Sequence, residues 1–568
     1  MHPTKPHRGP SPAPDHIMLS LCGDSRTTIA VTWRTDCSVK HGWMEVRSAD
    51  EKDGIPLRFE AVTRYFRSDI DESYLHTAKP AGLRPGTKYI YTVGDNIHRS
   101  PEYSFRTEPE NLTEYSFLII ADEQNTEPFS APEYRPVRRL LDMALERCPD
   151  ARFIVSLGDN VDNGENELQW NGFFHGLDGI TQNIPIMLLT GNHENRGFRV
   201  YEENRMEGKY YLDHADAFDC MFRESYPLNG PAGYETENFS FDYGNVHFVF
   251  LGVNAYEETG AWALEDLTAS SKTWKLAAFH YPVFPLMPEG VGGMFYGKIP
   301  DALDAGKVDI LFSGHEHSFA RSYPIRGYEM FDRPSEGTVH YILGNSGDNG
   351  FSSNAGKVWH YNFYPQEERN SMYARVDVTP KRLTVTAYLD DGRTADRFTI
   401  DRTRDEIDPP LAAPMYFDTH MAFKGNLLEL PARGIYARHM DGRIFVPFAV
   451  IAQSIGAAVV KEPGTVTVDL YGIRAVFTEG SGTAQRNGEA FPLSAPVFAG
   501  DKGELYIAAD DAAAIWNLRW RYARRNNIID FDYAEEDFTL SPQPPKDAVD
   551  FAGFRPRFVS PGIGSDEA

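Results

Sequence analysis

The chain has 568 residues, of which 41% are hydrophobic and 24% charged; it is too long for a single hydrophobic core, so three or four globular domains are expected. Its formal net charge of -26 argues against nucleic-acid backbones or anionic membranes as partners, and an anionic substrate would have to be drawn in by local positive charge such as bound metal ions. Four cysteines (Cys22, Cys37, Cys148, Cys220) make no disulfide framework in a chain this size. Cys22 and Cys37 are read as buried free thiols, with a pair across neighbouring strands as the alternative.

The opening MHPTKPHRGPSPAP carries no apolar segment of the kind that directs secretion, which taken literally means a cytoplasmic protein. Residues 1–14 are expected to be a disordered arm. From 15 to 108, short alternating stretches (HIMLSLCG, TTIAVTWRT, GWMEVRS, SYLHTAKPAGLRPGTKYIYTVGD, EYSFRT) are separated by turn residues, which predicts an all-β sandwich. Trp33 and the segment LRPGTKYIYTV resemble a fibronectin type III-like domain, with Leu83 and Tyr89 in its core.

Between 113 and 402 strands alternate with helical patterns, the signature of a layered α/β domain. Five apolar runs each end in polar residues: FLIIADEQ at Asp122, IVSLGDNVD at Asp159, LLTGNHEN at Asn192 and His193, AAFHYP at His280, and LFSGHEH at His315 and His317. Carboxylates, an amide and imidazoles delivered at the carboxyl ends of strands form a ligand set for two divalent metal ions, suited to Mn, Fe, Zn or Co more than Ca. Gly158, Gly191 and Gly314 precede the ligands, where a turn needs positive φ or close backbone approach. The late stretches TVHYILGNSG, MYARVDVTP, RLTVTAYLD and DRFTID look antiparallel and are expected to finish a second sheet.

The order D…GD…GNHE…H…GHEH resembles the calcineurin-like metallophosphoesterase superfamily, and with the preceding sandwich it is similar to purple acid phosphatase-like proteins. The resemblance implies an α/β four-layer sandwich and a dinuclear centre of divalent or trivalent ions (Fe, Mn or Zn). Asp159 would bridge the ions, Asp122 and His317 would complete one site, and Asn192, His280 and His315 the other; a hydroxide between the metals would attack in line. His193 would contact the phosphoryl group or protonate the leaving alkoxide, Glu194 would orient ligands, and Tyr281 is a substrate-binding candidate. A histidine buried behind a ligand is the alternative role for His193.

Two positions depart from the pattern. Purple acid phosphatases place a metal-binding tyrosine three residues after the bridging Asp, where this chain has Asp162, here read as a structural acceptor. Many superfamily members carry histidine two residues after the first Asp, where this chain has Gln124, a possible weak ligand through its amide oxygen. The segment after His280, HYPVFPLMPEGVGGMFYG, lacks further histidines; Phe284, Met287, Met294, Phe295 and Tyr296 either face a substrate or pack against a neighbouring domain. Residues 202–238 read as an insertion shaping the rim.

Residues 403–414 read as a linker. From 415 to 535, DGRIFVPFAVIAQSIGAAVV, GTVTVDLYGIRAVF and RNGEAFPLSAPVF resemble the copper amine oxidase N-terminal-like domain, a small α+β module. VPFAVIAQSIGAAVV recurs about sixty residues later as IAADDAAAIWNLRWR, aligning Ile455 with Trp516 and Val459 with Trp520, and placing Asn517 where glycine is expected. No copper cluster is expected, since His420 and His439 stand alone. Such modules accompany bacterial envelope proteins, which conflicts with the start of the chain and leaves localisation open between cytoplasm and envelope; a cell-wall or protein contact through this domain is conceivable. Residues 444–460 are broken by Pro447, Gln453 and Gly456 and do not read as a membrane span. Residues 536–568 are expected to be a disordered tail. The sequence thus points to a metal-dependent hydrolase of phosphate esters, with two alternatives: a degenerate-site binding or scaffold protein, or a dinuclear hydrolase of non-phosphate esters.

Overall fold

The computed structural model describes residues 9–51, 55–124, 133–196, 214–286, 296–327, 329–347, 359–363, 371–408, 418–428, 434–523 and 527–534. The expected tail, most of the amino-terminal arm, and Met287, Met294 and Phe295 lie outside them.

The first domain is a sandwich of two four-stranded antiparallel sheets. Its strands are β1 (Asp15–Ser20), β2 (Ala30–Asp36), β3 (Trp43–Ser48), β4 (Leu57–Glu60), β5 (Val62–Arg67), β6 (Glu72–Ala78), β7 (Lys88–Gly94) and β8 (Tyr103–Arg106). One sheet runs β1-β2-β6-β5 and the other β4-β3-β7-β8. β4 and β5 went unread in the sequence because their mostly exposed faces break the apolar alternation. Trp33, Leu83 and Tyr89 are buried in the core, as expected, and the Tyr89 hydroxyl accepts from the Arg84 N–H at 2.8 Å. Cys22 and Cys37 are free, as expected, but each is only partly buried.

The second domain packs two mixed sheets face to face. Its strands are β9 (Tyr115–Ile120), β10 (Ile154–Ser156), β11 (Ile186–Leu188), β12 (Phe239–Tyr243), β13 (Val246–Leu251), β14 (Trp274–Phe279), β15 (Ile310–Ser313), β16 (Ala320–Arg326), β17 (Glu329–Met330), β18 (Thr338–Ile342), β19 (His360–Phe363), β20 (Met372–Val378), β21 (Arg382–Leu389), β22 (Thr394–Asp401) and β23 (Glu406–Ile407). The first sheet runs β11-β10-β9-β20-β21-β22-β23; the second runs β12-β13-β14-β15-β18-β16-β17, with β19 beside β16. The late strands therefore divide. β20 pairs antiparallel with β9, and β21 and β22 continue the first sheet, each antiparallel to the strand before it, while β18 lies parallel to β15 in the second. Partner choice between two sheets is non-local, and periodicity carries no record of it. The stretch read as a linker contains β23, paired on β22.

Between the sheets, Phe117 and Phe153 of the first side meet Phe241 and Phe248 of the second, with edge-to-face centroid separations of 5.3 to 6.0 Å. Helix α1 (Arg135–Arg147) buries Val137, Leu140, Leu141 and Ala144, one stripe at helical spacing, against the first sheet. Helix α2 (Glu167–Gly176) is capped by the Asn166 side chain, which accepts from Leu168 N–H at 3.0 Å. Helix α3 (Asp216–Phe222), from the stretch read as a rim insertion, sends Phe218 and Phe222 onto Trp170. Helices α4 (Tyr256–Ala269) and α5 (Ile299–Gly306) pack together beside the second sheet.

The sandwich is fastened to the second domain by a continuous apolar core and by polar contacts. The buried Arg34 guanidinium donates to both Asp15 oxygens at 2.8 and 2.7 Å and also reaches Glu167 at the start of α2. The Glu167 N–H donates to Asp69 of the sandwich at 2.9 Å, and the Tyr91 hydroxyl donates to the Gln182 carbonyl at 2.7 Å.

The third domain, from His420 to Tyr533, forms three small sheets with helices α6 (Phe448–Ser454) and α7 (Ala509–Trp516). The repeat is visible in it. Ile455 and Trp516 are both buried in its core, and Gly456 and Asn517 take left-handed φ values of 96° and 54°, so Asn supplies the helix-ending conformation expected of glycine. Among the described residues no helix is long and apolar enough to cross a membrane.

One stabilising contact is pH-sensitive. His247 on β13 lies between Asp242 (2.8 Å) and Asp266 (2.7 Å), with Lys272 3.6 Å from Asp242. Burial opposes a charge on the ring, but the two carboxylates outweigh it and raise its pKa from 6.5 to about 9. The folded ring holds its proton more tightly than the unfolded one, so the contribution is complete below pH 6.5 and is lost as the pH rises to 9. Urea denaturation across that range should show His247 contributing a fall on the order of 2–3 kcal/mol in unfolding free energy, and His247→Gln should remove that part of the slope.

Candidate metal centre

At one end of the two packed sheets the loops at the carboxyl ends of their parallel strands come together. β9, β10 and β11 run parallel and deliver Asp122, Asp159 and Asn192 from the first sheet; β14 and β15, parallel to each other, deliver His280, His315 and His317 from the second. The structure thus brings together the six candidate metal ligands Asp122, Asp159, Asn192, His280, His315 and His317.

The backbone at these positions is under local constraint. Asp122, Asp159 and His315 have φ values of 51°, 56° and 67°, a region that residues with a side chain rarely adopt. Of the three preceding glycines only Gly158 has positive φ, at 96°. Gly191 and Gly314 serve close approach instead: a Cβ on Gly191 would lie 2.1 Å from Asp159 Oδ1, and one on Gly314 would lie 2.5 Å from Asp122 Oδ2. Glu194 holds the Asp159 turn, its carboxylate accepting from the N–H groups of Asp159 (3.0 Å), Asn160 (2.8 Å), Val161 (3.2 Å) and Gly191 (2.7 Å).

At the centre, acceptors face acceptors. His280 Nδ1–H donates to the Leu157 carbonyl at 2.9 Å, which turns Nε2 toward Asn192 Oδ1 (3.0 Å) and Asp159 Oδ2 (3.1 Å). A neutral imidazole nitrogen in that position presents a lone pair to two oxygens, so a positive charge must sit between them. In the metal-free protein a proton supplies it: burial disfavours the charged ring, but Asp159 and Asp122 outweigh burial and raise His280 to about 9. Asp159 is fully buried, yet His193, His280 and His315 hold its carboxyl well below the ordinary range. His315, pushed down to about 3 by burial and by neighbouring His280, is neutral, with Nδ1 2.9 Å from Asn192 Oδ1. Ligand atoms of Asp159, His280 and His315 lie within 4.8 Å of one another, the one such His/Cys/Asp/Glu group among the described residues. The donor set fits a borderline cation.

The other half of the centre is built around Asp122. Both its oxygens accept from the His315 N–H at 2.9 and 3.0 Å, and His317 Nε2 lies 3.4 Å from Oδ1. The orientation that satisfies the Gln124 amide places its NH₂ on the carbonyls of Asp122 (3.2 Å) and Asp159 (2.9 Å), with its oxygen 3.3 Å from His317 Nε2. The amide oxygen therefore faces His317 Nε2, from which it can accept.

His193 lies at the opening. Its Nδ1 is 2.9 Å from the Asp162 carbonyl and 3.2 Å from Asp162 Oδ1, and its Nε2 is 3.5 Å from Asp159 Oδ2. Asp162, read in the sequence as a structural acceptor of its loop, faces His193 instead, a pairing missed in the sequence; the signal available was its place three residues after Asp159, on the same turn. Arg196 also reaches Asp162, at 3.4 Å. The Tyr281 ring meets His315 edge to face at 4.6 Å and stacks on Tyr296 at 5.7 Å. Phe284 and Tyr296 are buried, so these two members of the segment after His280 pack inward and do not line an open surface.

Comparison with known proteins bears out the resemblance. The purple acid phosphatase N-terminal domain family matches residues 14–107, the calcineurin-like phosphoesterase family residues 115–319, and the copper amine oxidase N-terminal domain family residues 428–529. Acid phosphatase type 7 of Mus musculus is 24% identical over 385 residues, covering 60% of this chain and 79% of that protein. Purple acid phosphatase 21 of Arabidopsis thaliana is 23% identical over 359 residues, covering 60% and 73%. The solved purple acid phosphatase PPD1 from yellow lupin (Lupinus luteus) shares the fold with a TM-score of 0.55 at 19% identity, covering 68% of this chain and 74% of that one. These similarities support a metal-dependent phosphoesterase.

The proton on His280 and a cation compete for the same space. Loading the metal-free protein with Zn(II) below pH 9 should release close to one proton from His280, read by titration calorimetry in buffers of different ionisation enthalpy, and the release should vanish above that pH and in His280→Gln.

Proposed function

We propose that this chain hydrolyses phosphate esters at a dinuclear metal centre. The observation that carries the reading is the junction of Asp159, Asn192 and His280, where oxygen and nitrogen lone pairs converge on a point that needs a positive charge. Asp159 would bridge two ions; Asp122, His317 and the Gln124 amide oxygen would hold one, and Asn192, His280 and His315 the other. When bound, Fe, Mn or Zn ions would neutralise phosphoryl oxygens and lower the pKa of water.

The protein's own groups supply the rest. Glu194 fixes the Asp159 turn through four N–H groups, so the central carboxylate is held before substrate arrives. Asp162 holds the Nδ1 side of His193, leaving Nε2 as the nitrogen that can deliver a proton to the leaving alkoxide. Position 162 thereby serves His193 in place of a metal.

Metal analysis of the purified protein, with hydrolysis of aryl phosphomonoesters and bis-aryl phosphodiesters, tests the reading. Two bound metals without turnover would favour a hydrolase of another ester class, and no bound metal would favour a binding protein. Asp159→Asn should lose metal and activity together. His193→Ala should keep its metals and turn over roughly 10²–10⁴-fold more slowly. If Asp162 acts through His193, the double variant should be no slower than His193→Ala alone. Because no tyrosine stands at position 162, the iron-loaded protein should show no charge-transfer band in the visible.

A further inference from the structure

The third domain is joined to the second through a small apolar core of its own. Ala422, Ala523 and Ile528 of the third domain are buried in one cluster with Phe279, Val283, Phe284, Tyr296 and Trp359 of the second. At its middle is Trp359, 1% exposed. Gly425, in the turn after the strand His420–Phe423, lies so close that a Cβ there would stand 1.8 Å from Trp359 Cζ3. On its other side the Trp359 indole N–H donates to the Pro285 carbonyl at 3.2 Å, and its ring meets Phe284 edge to face at 6.2 Å.

Pro285 and Phe284 belong to residues 281–286, a segment tied at both ends to the loop that carries His315 and His317. At one end the Tyr281 ring lies against the His315 imidazole at 4.6 Å. At the other, the Leu286 N–H donates to the carboxylate of Glu316, the buried residue between the two histidines. A continuous series of contacts therefore runs from Gly425 through Trp359 and residues 284–286 to the histidine loop.

We propose that the third domain forms the back wall of the metal centre, with Trp359 as the positioning residue that transmits its contact to His315 and His317. The proposal rests on the metal-centre reading above. Removing the indole leaves a cavity behind residues 284–286 and frees the histidine loop to shift; a side chain at Gly425 displaces the indole from the opposite domain and leaves every residue of the second domain unchanged. The effect falls on the geometry of metal binding and on KM, since neither residue reaches the reacting atoms.

The full-length protein, its Trp359→Ala, Trp359→Phe and Gly425→Val variants, Co(II) as the probe ion, and amide hydrogen exchange over residues 281–286 together test this. Trp359→Ala and Gly425→Val should weaken Co(II) binding about 10-fold, alter its visible spectrum, raise KM more than they lower kcat, and speed exchange at Leu286; Trp359→Phe should restore most of each property. Even if Gly425→Val unfolds the third domain, the same changes are required. Wild-type cobalt spectrum, affinity and Leu286 exchange in both Trp359→Ala and Gly425→Val would overturn the wall. A wild-type protein that binds no Co(II) would instead refute the metal-centre reading, with the exchange measurement still deciding the contact.

Discussion

A buried carboxylate held against a buried ring nitrogen is the constraint on which the second domain depends. Asp159 and His280 come from different sheets, 3.1 Å apart, and each is stable in burial only through the charge of the other or of a cation between them. The two sheets must therefore meet in one register. The phenylalanines that meet edge to face between them, Phe117 and Phe153 against Phe241 and Phe248, supply the buried area that pays for that meeting. Around it, left-handed backbone at Asp122, Asp159 and His315 and the absence of a side chain at Gly191 and Gly314 let five loops crowd into a space that ordinary turns would overfill.

The same economy explains Glu194. A carboxylate that accepts four backbone N–H groups does for the Asp159 turn what a helix cap does for a helix end, satisfying donors that burial would otherwise leave unpaired. The adjoining residues His193 and Asn195 are then fixed in direction, His193 toward Asp162 and Asn195 toward Asn254, to whose side-chain oxygen its amide donates at 3.0 Å. The segment His193–Glu194–Asn195 is compact because Glu194 builds the turn and its neighbours use it.

Much of the centre was legible in the sequence, because an apolar strand ending in a polar turn is a local pattern, and five repetitions of it in one order leave few alternatives. What escaped was non-local. The strands near residues 372–401 read as antiparallel, but nothing in them said that β20 would choose β9 and join the sheet of Asp122. The contact of Asp162 with His193 was not legible, since 31 residues separate them in sequence and contact depends on how two turns face. The segment after His280 was ambiguous for the opposite reason: Phe284 and Tyr296 suit a substrate and a domain contact equally, and only the presence of Trp359 and the third domain decides between them. Asn517 shows the reverse case, a substitution that weakened a sequence repeat while keeping its backbone conformation.

The contact of Arg34 with Glu167 bears on how such a chain can be inherited. It makes the amino-terminal sandwich part of the support for α2, the helix that follows the Asp159 loop. Exchange of that sandwich for one without an arginine at this place would leave Glu167 as a buried carboxylate without its counter-charge, at about 3–5 kcal/mol. The boundary near residue 108 is thus a boundary of topology and not of recombination: the two domains can diverge in sequence, but at this seam they have to diverge together.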